Sequence, residues 1–353
     1  MKLATYQDGS RDGQLVVVSR DLASAHYATG IATRLQAVLE DWGFLSPQLQ
    51  DLSDELNAGR ARHAFAFDAA RCLAPLPRAY EAVVCTAYPS HAELARQIAG
   101  DDAAGAVAHD PAPVRLGGAD LLGPRMPIVA AREALGIDFG AGLAAITGDL
   151  PAGVGADRAL DGIRLLTLAN TATLRSLEAV DGAGGAGGSG GSGFDHHLAA
   201  AFGPVAATPD ELAGIWQGGV LQGAVQSTLN GRKVGLCDAG ADMAFGFGAL
   251  LERVCRLRGL RAGSIVATGP VGNRGTMRGS RTDWPRGSGS IAEKRCIETL
   301  QDGAPQTPFL RFGDTVRIEM KGRDGRSLFG AIEQDVLSPA EAHERLHGVP
   351  AGA

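Results

Sequence analysis

The segment DTVRIEMKGRDGRSLFGAIEQDV, Asp314 to Val336, constrains this chain most. It reads as two short strands, with Arg323-Asp324-Gly325 as a hairpin signal between IEM and SLFGAI. GLAAITGD, DGIRLLTLAN, LNGRKVGL and GSIVATG repeat the theme as short runs punctuated by Gly or Asp. Many strands with few alternating helices predict a mixed, β-rich α+β fold rather than a doubly wound sheet.

Near the N-terminus, Leu15 to Ser19 is a β-branched run and predicts a strand. In IATRLQAVLEDWGF, Ile31, Leu35, Val38 and Leu39 recur at helical spacing, with Gly43 as the stop. Residues 1–75 therefore form an expected N-terminal α+β domain, closed by the extended LAPLP with Pro75 and Pro77. Residues 76–338 are the expected catalytic domain and 339–353 a tail. Two further helices are predicted. PSHAELARQIAG has Ser90 as its cap, and GALLERVCRLRGL places Leu250, Leu251, Val254 and Leu257 on one face. Gly182 to Gly193, GAGGAGGSGGSG, has nothing to bury and is expected to be a mobile loop, either an active-site lid or a plain connector.

Composition excludes some function classes. A net charge of −6 with no basic block argues against nucleic acid as a partner. With no apolar signal segment and no run of about 20 apolar residues, the expectation is a cytoplasmic protein with no membrane partner. Cys72, Cys85, Cys237, Cys255 and Cys296 form no CxxC pair and read as reduced thiols, by default small buried apolar residues.

MKLATYQDGSRDGQLVVVSRDL, AYPSHAELARQIAG, LGIDFGAGLAAITGDLP, DGIRLLTLANTATLR, AFGPVAATPDELAGIW, AGSIVATGPVGN and GSIAEKRCIETLQDGAPQTPFLRFGDTVRIEM occur in an order and spacing that resemble the bacterial branch of the fumarylacetoacetate hydrolase family. The resemblance runs from Met1 to about Val336. It implies a small N-terminal domain, a C-terminal mixed β-sandwich roll and a homodimer. It also implies cleavage of a carbon–carbon bond beside a carbonyl, with Mg²⁺ or Ca²⁺ holding the substrate oxygens. Other members decarboxylate, hydrate or isomerise keto acids.

Hard divalent cations need oxygen ligands, mostly carboxylates. The family's four ligand positions fall here on Val84, Gly140, Gly142 and Thr171, so all four carboxylates are missing. The two glycines remove bulk as well as charge, which is expected to leave room for something else. Three further positions in the resemblance have changed: the substrate-binding Lys aligns with His197, a Thr with Pro270 and a Tyr with Val114. With Thr171 these are the candidate substrate-binding residues. The groups for proton transfer and anion binding survive. By resemblance His91 is the catalytic base, Glu293 its acidic partner and Arg175 the oxyanion arginine.

Each residue also has a plainer reading. His91 could be a helix cap, Glu293 a surface carboxylate beside Lys294 and Arg295, and Arg175 a partner of Glu178. His196 and His197 could bind zinc with His91 or His109, although no ligand spacing supports it. Asp120 and Asp138 read as turn or capping residues. The loop Gly279 to Ser290 could rim the pocket with Trp284 and its two arginines. Two hypotheses follow. One is an enzyme with metal-independent chemistry on a small carbonyl or carboxylate compound and no cofactor, hydrolysing a C–C or acyl bond, or isomerising, cyclising or decarboxylating. The other is a non-catalytic relative that binds a ligand or a partner.

Overall fold

The computed structural model describes residues 1–99, 111, 113–116, 121–176, 197–279 and 281–347. At its centre two antiparallel strands, Ala141–Thr147 and Ile163–Leu174, pair from Ala141↔Asn170 to Thr147↔Ile163. Both are apolar almost throughout because both of their faces are covered. Leu143, Ala145, Leu166 and Leu168 enter one core cluster. Ala144, Ile146, Leu165 and Ala169 enter a second. The period-2 alternation of a strand thus feeds two cores at once.

Strand Ser264–Pro270 continues this sheet on one side, followed in parallel by Ala82–Val84 and then antiparallel by Val114–Arg115. On the other side Leu166 pairs with Ala207, and strand Ala206–Ala207 pairs with Lys2 and Leu3. Lys2–Tyr6, Gln14–Val18 and Ser24–Tyr27 extend the same sheet. The first 75 residues therefore share a hydrogen-bonded sheet with the rest. They also share a core, in which Met1, Leu3 and Leu15 pack with Ile146 and Leu165. A five-stranded sheet covers the other face, with the expected hairpin Thr315–Lys321 and Ser327–Leu337 at its centre and Gly325 at φ +78° in the turn. The fold is the strand-rich α+β class expected from the sequence.

Three local expectations give way. The helix Leu35–Glu40 breaks at Asp41, and a second helix, Trp42–Asn57, runs straight through Gly43, whose missing side chain meets no neighbour. Helix Phe247–Val254 buries Leu250, Leu251 and Val254 but ends before Leu257, which is 89% exposed. Ser90 begins the helix Ser90–Ala99 as its first residue, and its hydroxyl is turned inward. The tail carries a helix, Pro339–His347. The Gly182–Gly193 tract, His109, Asp120, Glu178 and His196 lie outside the described residues.

Candidate active site

A cavity of about 360 Å³ opens where the central strands end. That volume suits a small organic acid or acyl compound. Its wall is formed by Val84, Cys85, Thr86, Tyr88, Ser90 and Val114 on one side and Thr171, Thr173, Arg175 and His197 on another, closed by Thr268, Gly269, Pro270, Ser290 and Glu293. Residues far apart in sequence meet there: Glu293, Arg175, His197, Thr171, Pro270, Val114 and Val84 all face one space.

Glu293 is the chemical centre of that wall. It sits in the first turn of helix Ile291–Asp302, three residues after Ser290, whose side chain caps the Glu293 N–H. The Ser-x-x-Glu spacing is that of a capping box. The Glu293 carboxylate reaches back to the N–H of Gly289 at 3.1 Å with Oε2, and Oε1 accepts from Ser90 Oγ at 2.7 Å. The surface reading of this residue falls: Glu293 is 2% exposed, while Lys294 pairs with Glu298 and Arg295 donates to the Thr307 carbonyl. Burial pushes its carboxyl up to about 7, against the two hydrogen bonds that favour the charged form. Gly272 makes the arrangement possible, since a Cβ there would stand 2.5 Å from Glu293 Oε1 and press on Ser90.

Asp138 is a capping residue, as expected, but for a helix elsewhere in the chain. Its carboxylate is fully buried and accepts from the N–H groups of Ile291 and Ala292 at 2.7 and 3.0 Å. The positive end of that helix favours a carboxylate there. The same Asp138 accepts from Arg175 Nε at 2.9 Å, so the arginine is anchored to the helix that carries Glu293. Arg175 is 14% exposed along its side chain and lines the cavity. His91 is the second residue of the helix Ser90–Ala99; its side chain lies outside the described part of the structure.

At the four expected ligand positions the space is already taken. Val84 stands opposite Val114 in an antiparallel pair, a hydrocarbon wall. A Cβ on Gly140 would meet Thr171 Oγ1, lie 2.9 Å from the Thr171 carbonyl oxygen and 3.0 Å from Pro270 Cγ. A Cβ on Gly142 would run into the Gly269 carbonyl. The expectation that these glycines leave room is therefore corrected: the neighbouring strands have closed over them. One hydroxyl and three side chains without oxygen do not fit a hard divalent cation. Among the described residues no group of three or more His, Cys, Asp or Glu side chains is placed to hold a metal ion.

The loop before Glu293 reaches this cavity with Ser290, whereas its Trp284, Arg281 and Arg286 do not line it. Trp284 lines a neighbouring cleft of about 230 Å³, with Glu93 and Arg274, that shares Ser90 with the main cavity. Its arginines lie beside carboxylates, Arg281 near Asp283 and Arg286 near Asp238. All five cysteines are free, and Cys85 is a buried part of the cavity wall. Several wall residues carry no site signal in the sequence, Ser90 and Thr173 among them. Ser90 reads as a cap, and Thr173 is detectable only because it lies two residues after Thr171 on one strand and so on the same face.

The fold and site define a strand-rich α+β protein with a small-molecule cavity at the end of its central sheet. Residues 1–78 match the fumarylacetoacetase N-terminal domain 2 and residues 82–337 the fumarylacetoacetate (FAA) hydrolase C-terminal family model. The chain belongs to the fumarylacetoacetate hydrolase family. Fumarylacetoacetate hydrolase from psychrophilic Exiguobacterium antarcticum is similar in structure, with a TM-score of 0.63 at 19% identity over 96% of this chain and 99% of that one. Maleylpyruvate hydrolase from Sphingobium sp. SYK-6, solved with manganese(II) and pyruvate, gives 0.62 at 15% over 96% and 99%. The 2-hydroxyhepta-2,4-diene-1,7-dioate isomerase of Mycobacterium marinum gives 0.58 at 17% over 96% and 99%. No protein of curated function matches the sequence. Among the described residues no helix is long and apolar enough to cross a membrane.

Proposed function

We propose that this protein is a metal-independent enzyme acting on a small keto or acyl carbonyl or carboxylate compound. Hydrolysis of a C–C or acyl bond is the reaction that its groups serve best. The observation that carries this reading is the meeting of Glu293 and Arg175 on one cavity, with Glu293 buried and its carboxyl raised to about 7. A buried carboxyl held by Ser90 and Gly289 at the cavity wall is placed to orient a neighbouring base and to offset the charge that base gains.

In this reading His91 takes a proton from water, Glu293 stabilises the resulting imidazolium and holds its ring, and the water oxygen attacks the substrate carbonyl. The guanidinium of Arg175, held by Asp138, faces the oxyanion that forms. Cleavage expels an enolate or alkoxide, which takes the proton back from His91. The same reading makes the protein a cytoplasmic homodimer, with residues 1–75 as an N-terminal domain and 76–338 as the catalytic domain.

The test is turnover of a panel of 2-oxo, acyl and β-diketo acids by the parent and by His91→Ala, Glu293→Gln and Arg175→Lys. Each variant should lose about 10²–10⁴-fold in rate, the usual worth of one positioned acid–base group, and Lys fails because it lacks the planar fork. Parent-like turnover by all three variants would refute the assignment of these residues, and a parent that turns over no member of the panel would favour the non-catalytic, ligand-binding alternative.

A further inference from the structure

The face of strand Ile163–Leu174 that carries Leu165 and Ala169 into the core ends at the cavity with Thr171 and Thr173. The two hydroxyls differ. Thr171 Oγ1 lies 3.4 Å from the Gly140 carbonyl, a long contact. Thr173 is 5% exposed, and its Oγ1 has no hydrogen-bond partner among the described residues. A buried hydroxyl left unpaired is unfavourable, and folded proteins rarely keep one without a use for it.

The neighbouring strand supplies the second observation. Strand His197–Phe202 pairs with Thr171↔Ala200 and Ala172↔Ala199, and then the register shifts so that Thr173 faces His197. Without that bulge Thr173 would face Leu198, and His197 would project to the other side. Residues directly opposite in an antiparallel pair share a face, with Cβ atoms about 5 Å apart. The extra residue thus puts an imidazole beside the Thr173 hydroxyl on the cavity wall, where both line the same space. Bulges beside active sites commonly re-aim one side chain in this way.

The geometry points to Thr173 and His197 as a subsite that binds an uncharged acceptor oxygen of the ligand, the carbonyl of a 2-oxo or acyl acid. This rests on the proposed function and adds the feature by which the substrate is chosen. A hydroxyl donor grips one carbonyl oxygen but carries no charge, so it suits a neutral carbonyl oxygen rather than a second carboxylate.

Pyruvate and propionate differ by that carbonyl oxygen and separate the idea from turnover. Calorimetric titration of the parent should show tighter binding of pyruvate. Thr173→Val should lose about tenfold in pyruvate affinity, the worth of one hydrogen bond to a buried acceptor. It should leave propionate unchanged, and Thr173→Ser should restore pyruvate. Because the hydroxyl has no structural partner, Thr173→Val should also melt at a higher temperature than the parent without ligand. A parent that does not prefer pyruvate, a Thr173→Val that binds it equally well or loses both acids together, or a fall in its melting temperature each overturns the subsite. Failure of the proposed chemistry would show instead as inactive parent protein with this binding pattern intact.

Discussion

Ser90 Oγ donates a 2.7 Å hydrogen bond to Glu293 Oε1, joining the start of one helix to the first turn of another across the wall of the cavity. The contact lowers the pKa of a carboxyl that burial raises, so Ser90 sets how much of Glu293 is ionised at neutral pH. Ser90→Ala should move the Glu293 titration further up. Carbon-13 NMR of labelled glutamate reads the shift directly, and a midpoint at or below that of the parent would show that the hydroxyl does not tune the acid.

Glu293 also ties stability to pH. Its folded pKa of about 7 lies above the unfolded value near 4.5, so between them the folded state holds the extra proton. Its contribution to stability is therefore highest in acid. It declines as pH rises from about 4.5 to 7 and is constant above. Glu293→Gln lacks this slope. In urea unfolding at a series of pH values, the variant should gain on the parent by up to about 3 kcal/mol across that window. A difference that does not change with pH refutes the assignment.

The strand glycines should resist any attempt to rebuild the ligand set. Gly142→Ala drives a Cβ into the Gly269 carbonyl, backbone that a bulged strand pair cannot easily move, and should cost about 1–3 kcal/mol. Gly140→Ala meets the Thr171 hydroxyl, which can rotate, but also the fixed Thr171 carbonyl at 2.9 Å, so a similar or slightly smaller loss is expected. Thermal unfolding compares the two. Full parent stability in Gly142→Ala would mean that the strands separate there.

Asp138→Asn should destabilise by about 3 kcal/mol, because it strips the charge that compensates Arg175 and weakens two bonds to the N-terminus of helix Ile291–Asp302. Loss of Asp138 should also loosen Arg175, so any measured turnover should fall further than the loss of folded protein explains. Unchanged denaturation midpoints would show that the ion pair contributes nothing.

After extensive dialysis the protein should contain well under one equivalent of Mg²⁺, Ca²⁺ or Mn²⁺, and chelator should leave its melting temperature unchanged. Elemental analysis is the measurement. One tightly held equivalent would mean that donors beyond Val84, Gly140, Gly142 and Thr171 have taken over the site.

By itself the sequence determined the strand-rich class, because an apolar run bounded by Gly or Asp needs no tertiary information to be read as a strand, and the hairpin at Gly325 carries its own turn chemistry. Motif order also places the expected ligand positions of the resemblance at 84, 140, 142 and 171, where this chain carries Val, Gly, Gly and Thr. Local signals went astray where a helix end depended on packing: Gly43 and Leu257 look like a stop and a core residue until the neighbouring elements are in place. Only the tertiary structure decided what fills the space left by the two glycines. That space is closed by Thr171 and Gly269, from strands paired to their own through contacts over 25 residues or more away in the chain. Burial of Glu293, the Ser90 contact, the Asp138 anchor of Arg175 and the bulge that turns His197 toward Thr173 are all of this kind. Each depends on which distant backbone lies across a few ångströms of space, and residue type carries no record of that.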